Sequence, residues 1–183
     1  SVEAIEFEWS PGRGDPKYTD DNSAFDVFVR YATPSGAPGF VGIEVKYHEG
    51  LHEAPAKLRP RYLEVADAMR AFRSERLDDL QAKPLQQVWR DHLLAGSMLT
   101  RDDAWADGLF VFLYPRLNKR CDSVVREYET CLTSTDSFAT WTLEHVVAAI
   151  RAETTAAWPV AVHDRYLDFD RAEALLGPSA AHS

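Results

Sequence analysis

Residues Phe40 to His52 read FVGIEVKYHEGLH, and the fold turns on how this stretch is read. Taken as a strand from Phe40 to Tyr47, its β-branched density suits a pleated surface. The period of two then puts Glu44 and Lys46 on one face and Ile43, Val45 and Tyr47 on the other. Taken as a helix, the tail His48-Glu49-Gly50-Leu51-His52 would bring two imidazoles together at i and i+4. The helix has little room: it directly follows a β-rich run, holds Gly50 in its interior and meets Pro55 three residues later. The strand reading organises the rest of the chain.

Working outward, Val2 to Trp9 alternates and reads as a strand, followed by the turn-rich loop SPGRGDPKYTDDNS. Ala24 to Tyr31 is a second strand, with Phe25, Val27, Val29 and Tyr31 on one face and Ala24, Asp26, Phe28 and Arg30 on the other. The connector ATPSGAPG then reverses the chain, so the first three strands read as a β-meander. After Pro60 the period becomes helical, with Tyr62, Val65, Met69 and Phe72 giving a helix from about Arg61 to Arg73. A second helix starts near Pro84 on the stripe Leu85, Val88, Trp89, His92 and Leu99. GLFVFLYP, Gly108 to Pro115, is a strand buried on both faces, and Asn118 to Leu132 is a helix. Phe138 to Arg151 and Asp164 to Leu176 are expected as further helices. The order βββααβααα implies an α/β or α+β fold built on a mixed sheet flanked by helices.

A chain of 183 residues, 45% hydrophobic and 27% charged, can fill one core, and a single domain over 1–183 is expected. No apolar run is long enough for a membrane span, and Ser1-Val2-Glu3 has neither the basic nor the apolar region of a signal peptide. The immediate entry into a strand leaves room for an upstream helix outside this sequence. Cys121 and Cys131 lie roughly 15 Å apart along one helix, beyond disulfide reach. Two reduced, buried thiols suit the cytoplasm. The net charge of −9 argues against a protein that coats nucleic acid. Between Lys57 and Arg76 the cations Lys57, Arg59, Arg61, Arg70, Arg73 and Arg76 nonetheless outnumber Glu64, Asp67 and Glu75, a locally positive segment that reads either as a solvated helix face or as a phosphate-tracking patch.

If the second and third strands pair, the apolar sets Phe25/Val27/Val29 and Ile43/Val45 coincide, and Asp26 is forced to the side of Glu44 and Lys46. Two carboxylates and an ammonium then converge. Such a trio can hold Mg²⁺ or Mn²⁺ through hard oxygens, with Lys46 orienting a water and offsetting charge on a phosphate. The plainer reading is an exposed strand pair with a cross-strand Asp26–Lys46 ion contact.

The segments SAFDVFV and GFVGIEVKY resemble motifs II and III of the PD-(D/E)XK nuclease superfamily, in particular a poorly characterised bacterial branch with similar AFDVF and GIEVKY segments. The resemblance covers about Glu6 to Glu49 well and the remainder loosely. It implies a restriction-endonuclease-like core, Asp26 and Glu44 as metal ligands, the Val45 carbonyl as a further ligand, Lys46 as the catalytic lysine, and DNA as substrate. The chain departs from the pattern in having Phe25 where the Pro of the Pro-Asp pair stands. Many members also carry an acidic residue ahead of the sheet; Glu8 is the candidate here, against a plain surface carboxylate. Some add a Gln-x-x-x-Tyr helix. Gln86 and Gln87 sit on a suitable helix, but their i+4 residues are Arg90 and Asp91. His48, close to Lys46, is a candidate lining residue.

Two other function classes remain at the level of sequence. His48-Glu49-x-x-His52 matches a zinc metallopeptidase pattern, with Glu49 as general base, although Pro55 and Arg59 stand where the extended pattern needs Gly and His. A catalytically inactive nucleic-acid-binding module is the third. Homodimerisation is compatible with cutting both strands, but no interface pattern points to it.

Overall fold

A computed structural model describes residues 1–49, 51 and 55–169 of the chain. Three antiparallel strands open it: β1 (Val2–Trp9), β2 (Phe25–Ala32) and β3 (Pro38–Val45). The meander is as expected, with Thr33 carbonyl accepting from Gly36 N–H and Gly36 at φ 82° in the connecting turn. Strand β4 (Asp107–Tyr114) then pairs in parallel with β3, Glu44 beside Phe112 and Val45 beside Leu113. With β5 (Phe138–Thr142) the sheet order is β1-β2-β3-β4-β5, a mixed five-stranded sheet in an α+β fold. The parallel step from β3 to β4 is what requires the long helical crossover between them.

That crossover holds α1 (Pro60–Met69), a 3-10 turn at Ser74–Arg76, the single turn α2 (Leu77–Leu80) and α3 (Gln86–Arg101). Helix α1 is shorter than its apolar period suggests. Arg70 adopts φ 53°, a left-handed residue that stops the helix, and Phe72 instead bridges to Leu132 and enters the core. Helix α3 is buried along most of its length, with Val88, Trp89, His92, Leu93, Ala95 and Met98 fully covered. Helix α4 (Lys119–Thr130) follows β4, its N-terminus capped by Asn118 Oδ1 accepting from Cys121 N–H. Cys121 and Cys131 are both buried free thiols.

The core lies on the face of the sheet that carries Phe28, Phe40, Phe110 and Phe112, packed with Tyr62, Leu85, Trp89 and Leu93. Two expectations about faces need correction here. Phe25 does not join Val27 and Val29; its ring stacks with Phe28 and tilts against Phe110, over the backbone of Gly42. And the Phe28/Phe40/Glu44 side of β2 and β3, not the Val27/Val29/Ile43 side, carries the fully buried residues. The aromatic side chains at alternate positions outrank the valines because each buries more surface.

His92 is a core residue: Nδ1 lies 2.8 Å from Tyr128 Oη and Nε2 2.9 Å from Ser137 Oγ, tying α3 to α4 and to the segment entering β5. Residues up to Thr140 form one compact unit and residues from Trp141 a second. In the second, α5 (Leu143–Glu153) packs against α6 (Trp158–Tyr166). The helix expected from Phe138 thus begins five residues later, after β5, where Thr142 Oγ1 accepts from His145 N–H as the cap. The helix expected over Asp164 to Leu176 starts earlier, at Trp158, and the part beyond 169 lies outside the described residues. Among the described residues no helix is long and apolar enough to cross a membrane.

Candidate active site

Strand pairing builds the site. Val27 faces Ile43 and Phe28 faces Gly42, so one step on, Asp26 stands across from Glu44 on the helix-covered side of the sheet. The two carboxyl groups are within hydrogen-bonding reach of each other. Asp26 Oδ2 also accepts the Val45 N–H at 2.7 Å, at the point where β2 has run out and leaves β3's backbone unpaired on that edge. In extended chain a residue's N–H and C=O leave on the same edge, so the Val45 carbonyl emerges on the Asp26 side as well. Lys46 follows. Its N–H bonds the Leu113 carbonyl, and its Nζ lies 2.8 Å from Glu44 Oε1.

Helix α3 supplies the other wall. Gln87 Nε2 donates to Glu44 Oε1 at 2.8 Å. Asp91, one turn further along the same helix face, is buried, and its Oδ2 has no hydrogen-bond partner among the described residues. Arg90 turns the opposite way, donating to Asp21 Oδ2 at 3.1 Å and to Ser23 Oγ at 2.9 Å. Asp21 is further fixed by Tyr62 Oη at 2.6 Å, which anchors the loop before β2 to α1 and α3. Beyond Lys46, Asn118 Nδ2 donates to the carbonyls of Tyr47 and Glu49 and holds the chain as it leaves the site.

The electrostatics follow from burial. Glu44 is only 6% exposed, with Phe112 beside it on β4. Burial pushes its carboxyl up to about 7; Lys46 opposes the rise and the charge of Asp26 adds to it. Burial, and then the charge of Glu44, push Asp91 well above the usual carboxylate range. Burial works against the Lys46 ammonium, but Glu44, Asp26 and Asp91 outweigh it and hold its pKa above the ordinary lysine value.

Three acids around one ammonium leave a local excess of acceptor groups and one orphaned buried oxygen, which is a setting a cation suits. Among the described residues no three His, Cys, Asp or Glu stand together as a metal-holding cluster. Two carboxylates and a carbonyl fit an ion that keeps several waters, as Mg²⁺ does, better than one needing a closed protein cage.

The other sequence candidates fall elsewhere. Glu8 sits at the end of β1 with φ 51° and an exposed side chain. Gln86 turns away from the site, donating to the carbonyls of Ala56 and Gln81. Arg61 is not available as a solvent-facing cation: its guanidinium binds the carbonyls of Tyr18 and Lys17 and the Glu64 carboxylate. Arg59 stands 3.8 Å from Asp20, while Lys57, Arg70 and Arg73 are exposed. His48 is exposed, and residues 47–49 are bends or irregular chain rather than helix, with Glu49 Oε2 accepting from its own neighbours' N–H groups at Tyr47 and His48. His52 lies outside the described residues. Asp91 was missed by the sequence reading, although Gln87 and Asp91 at i and i+4 carried the signal that both share one helix face.

A sequence model described as the PD-(D/E)XK nuclease superfamily matches residues 1–168 of the chain. No curated protein and no solved structure matches it significantly.

Proposed function

The chain belongs to the PD-(D/E)XK nuclease superfamily, and from that premise we propose that it is a divalent-metal-dependent nuclease that hydrolyses DNA phosphodiester bonds at Asp26, Glu44 and Lys46. One observation carries the reading: Lys46 Nζ is 2.8 Å from Glu44 Oε1 while Asp26 reaches the same carboxyl from the paired strand. Asp26, Glu44 and the Val45 carbonyl are the groups that would hold Mg²⁺ or Mn²⁺. When bound, such an ion withdraws charge from the phosphate and acidifies a water.

The remaining work belongs to the chain's own residues. Lys46, kept charged by the acids around it, orients the attacking water and offsets negative charge as it builds on the phosphate. Gln87 fixes the Glu44 carboxyl by its Nε2–H, which sets the ligand's orientation in advance. Phe112 beside Glu44 lowers the local polarity, so each charge interaction in the site exceeds its value in open water. The buried free thiols of Cys121 and Cys131 are in keeping with a reducing compartment such as the cytoplasm. No observation favours the zinc peptidase, since Glu49 spends its carboxylate on backbone N–H groups.

Cleavage of supercoiled plasmid tests the reading. Cutting is expected with added Mg²⁺ or Mn²⁺ and not in chelator. Asp26→Asn, Glu44→Gln and Lys46→Ala should each lower the rate by about a hundredfold or more while the circular dichroism spectrum is kept. Salt-sensitive DNA binding with no cutting under either ion would instead identify a binding module.

A further inference from the structure

Among the described residues two buried side-chain polar atoms have no hydrogen-bond partner, and one of them, Asp91 Oδ2, is a carboxyl oxygen. Asp91 is 5% exposed and lies inside the 16-residue helix α3, one turn beyond Gln87 on the same helix face. Gln87 marks where that face points, because its amide donates to Glu44 Oε1 at 2.8 Å. The cations whose charge reaches Asp91 are already engaged. Arg90 turns to Asp21 and Ser23, and Lys46 Nζ lies 2.8 Å from Glu44 Oε1. The charge of Glu44 opposes that of Asp91.

An acid in this state works against the fold. A buried oxygen without a partner loses its hydration and gains no bond in exchange, and a neutral group of the same shape would sit there at less cost. Its oxygen is set up for something that enters the site. Two facts limit how it acts. Among the described residues no three His, Cys, Asp or Glu stand together as a metal-holding cluster, so Asp91 does not join Asp26 and Glu44 as a direct ligand. An ion such as Mg²⁺, held by one or two carboxylates, also keeps several of its waters. An acid standing back by the breadth of one water is suited to orient them.

We propose that Asp91 is a third acid of the cation site and acts at one remove, its Oδ2 accepting a hydrogen bond from a water that hydrates the ion held by Asp26 and Glu44. It is a positioning residue. With Gln87 fixing the Glu44 carboxyl, it makes α3 the third element, after β2 and β3, that shapes the site. The proposal rests on the nuclease reading for the ion itself.

The test is an electron paramagnetic resonance titration of free Mn²⁺ against the full chain, which gives a dissociation constant with no cleavage step, together with the melting temperature in chelator. Asp91→Asn keeps the shape of the side chain and removes its charge. It should weaken Mn²⁺ binding about tenfold or more and melt in chelator at or above the wild-type temperature. Asp91→Ser, smaller and with room for a water, should weaken Mn²⁺ binding likewise, whatever its melting temperature. Gln86→Ala, on the same helix but directed at the carbonyls of Ala56 and Gln81, should do the opposite, melting lower with its Mn²⁺ affinity unchanged. Wild-type Mn²⁺ affinity in either Asp91 variant would overturn the proposal and leave the nuclease reading standing. So would an Asp91→Asn chain that melts well below wild type in chelator, since Asp91 would then serve the fold. No Mn²⁺ uptake by the wild-type chain would overturn the nuclease reading and this proposal together.

Discussion

Glu44 is where the fold and the candidate chemistry pull in opposite directions. A carboxyl this buried is most comfortable protonated, yet a metal ligand must be ionised. The sign of the consequence is fixed. Between the ordinary value of 4.5 and about 7 the folded chain binds the Glu44 proton more tightly than the unfolded chain does. Metal-free stability therefore falls as pH rises through that window, and the loss is complete above it. Glutamine does not titrate but keeps an oxygen for Lys46 and Gln87. The unfolding free energy of Glu44→Gln minus that of wild type should thus grow from pH 4.5 to 7 and then level off, by on the order of 2–3 kcal/mol in all. Urea unfolding in chelator at several pH values measures this, and a difference that shrinks with pH would contradict it. His92, driven down to about 3 by burial, slopes the other way, losing stability as pH falls from 6.5, and cancels in the subtraction. At this scale the convergence of Asp26, Glu44 and Lys46 was legible because strand alternation and pairing fix which side chains share a face. Asp91 was not, because its meaning depends on which face of α3 meets the sheet.

Among the elements, the pairing of β2 with β3 positions the acids, and Gly42 sets how closely the Phe25 ring can lie on that pair. A Cβ at Gly42 would stand 2.6 Å from the ring of Phe25, which is fully buried between Phe28 and Phe110 and has nowhere to move. Gly42→Ala should cost about 1–3 kcal/mol as overpacking. Because Phe25 directly precedes Asp26, it should also lower metal-dependent cutting more than the stability loss accounts for. Denaturant unfolding and the plasmid assay check the two halves, and wild-type stability in the variant would refute the close approach. Strands β1 to β4 and helix α3 were legible from period and punctuation. The end of α1 was not, since Arg70 takes a left-handed conformation with no glycine to announce it and Phe72 is drawn off by Leu132. Strand β5 was missed because Phe138 to Thr142 is too short to show a period, although Thr142 as a cap marked where α5 begins.

For the molecule as a whole, an acidic chain that is to act on a polyanion must gather positive charge locally. The site as described does the reverse, grouping Asp26, Glu44 and Asp91 about one lysine. Composition could not foretell this arrangement, because net charge says nothing of clustering. A divalent cation held by Asp26 and Glu44, as proposed, would offset the excess, and binding it should stabilise the entire fold by mass action, by about 2.7 kcal/mol at a hundred times Kd. The most direct measurement is therefore the melting temperature of wild type, Asp26→Asn and Glu44→Gln with increasing Mn²⁺. Wild type should rise by several degrees and saturate, at ~2–4 °C per kcal/mol, while neither variant responds over the same range. An equal rise in all three proteins, or none in wild type, would contradict a cation shared by Asp26 and Glu44.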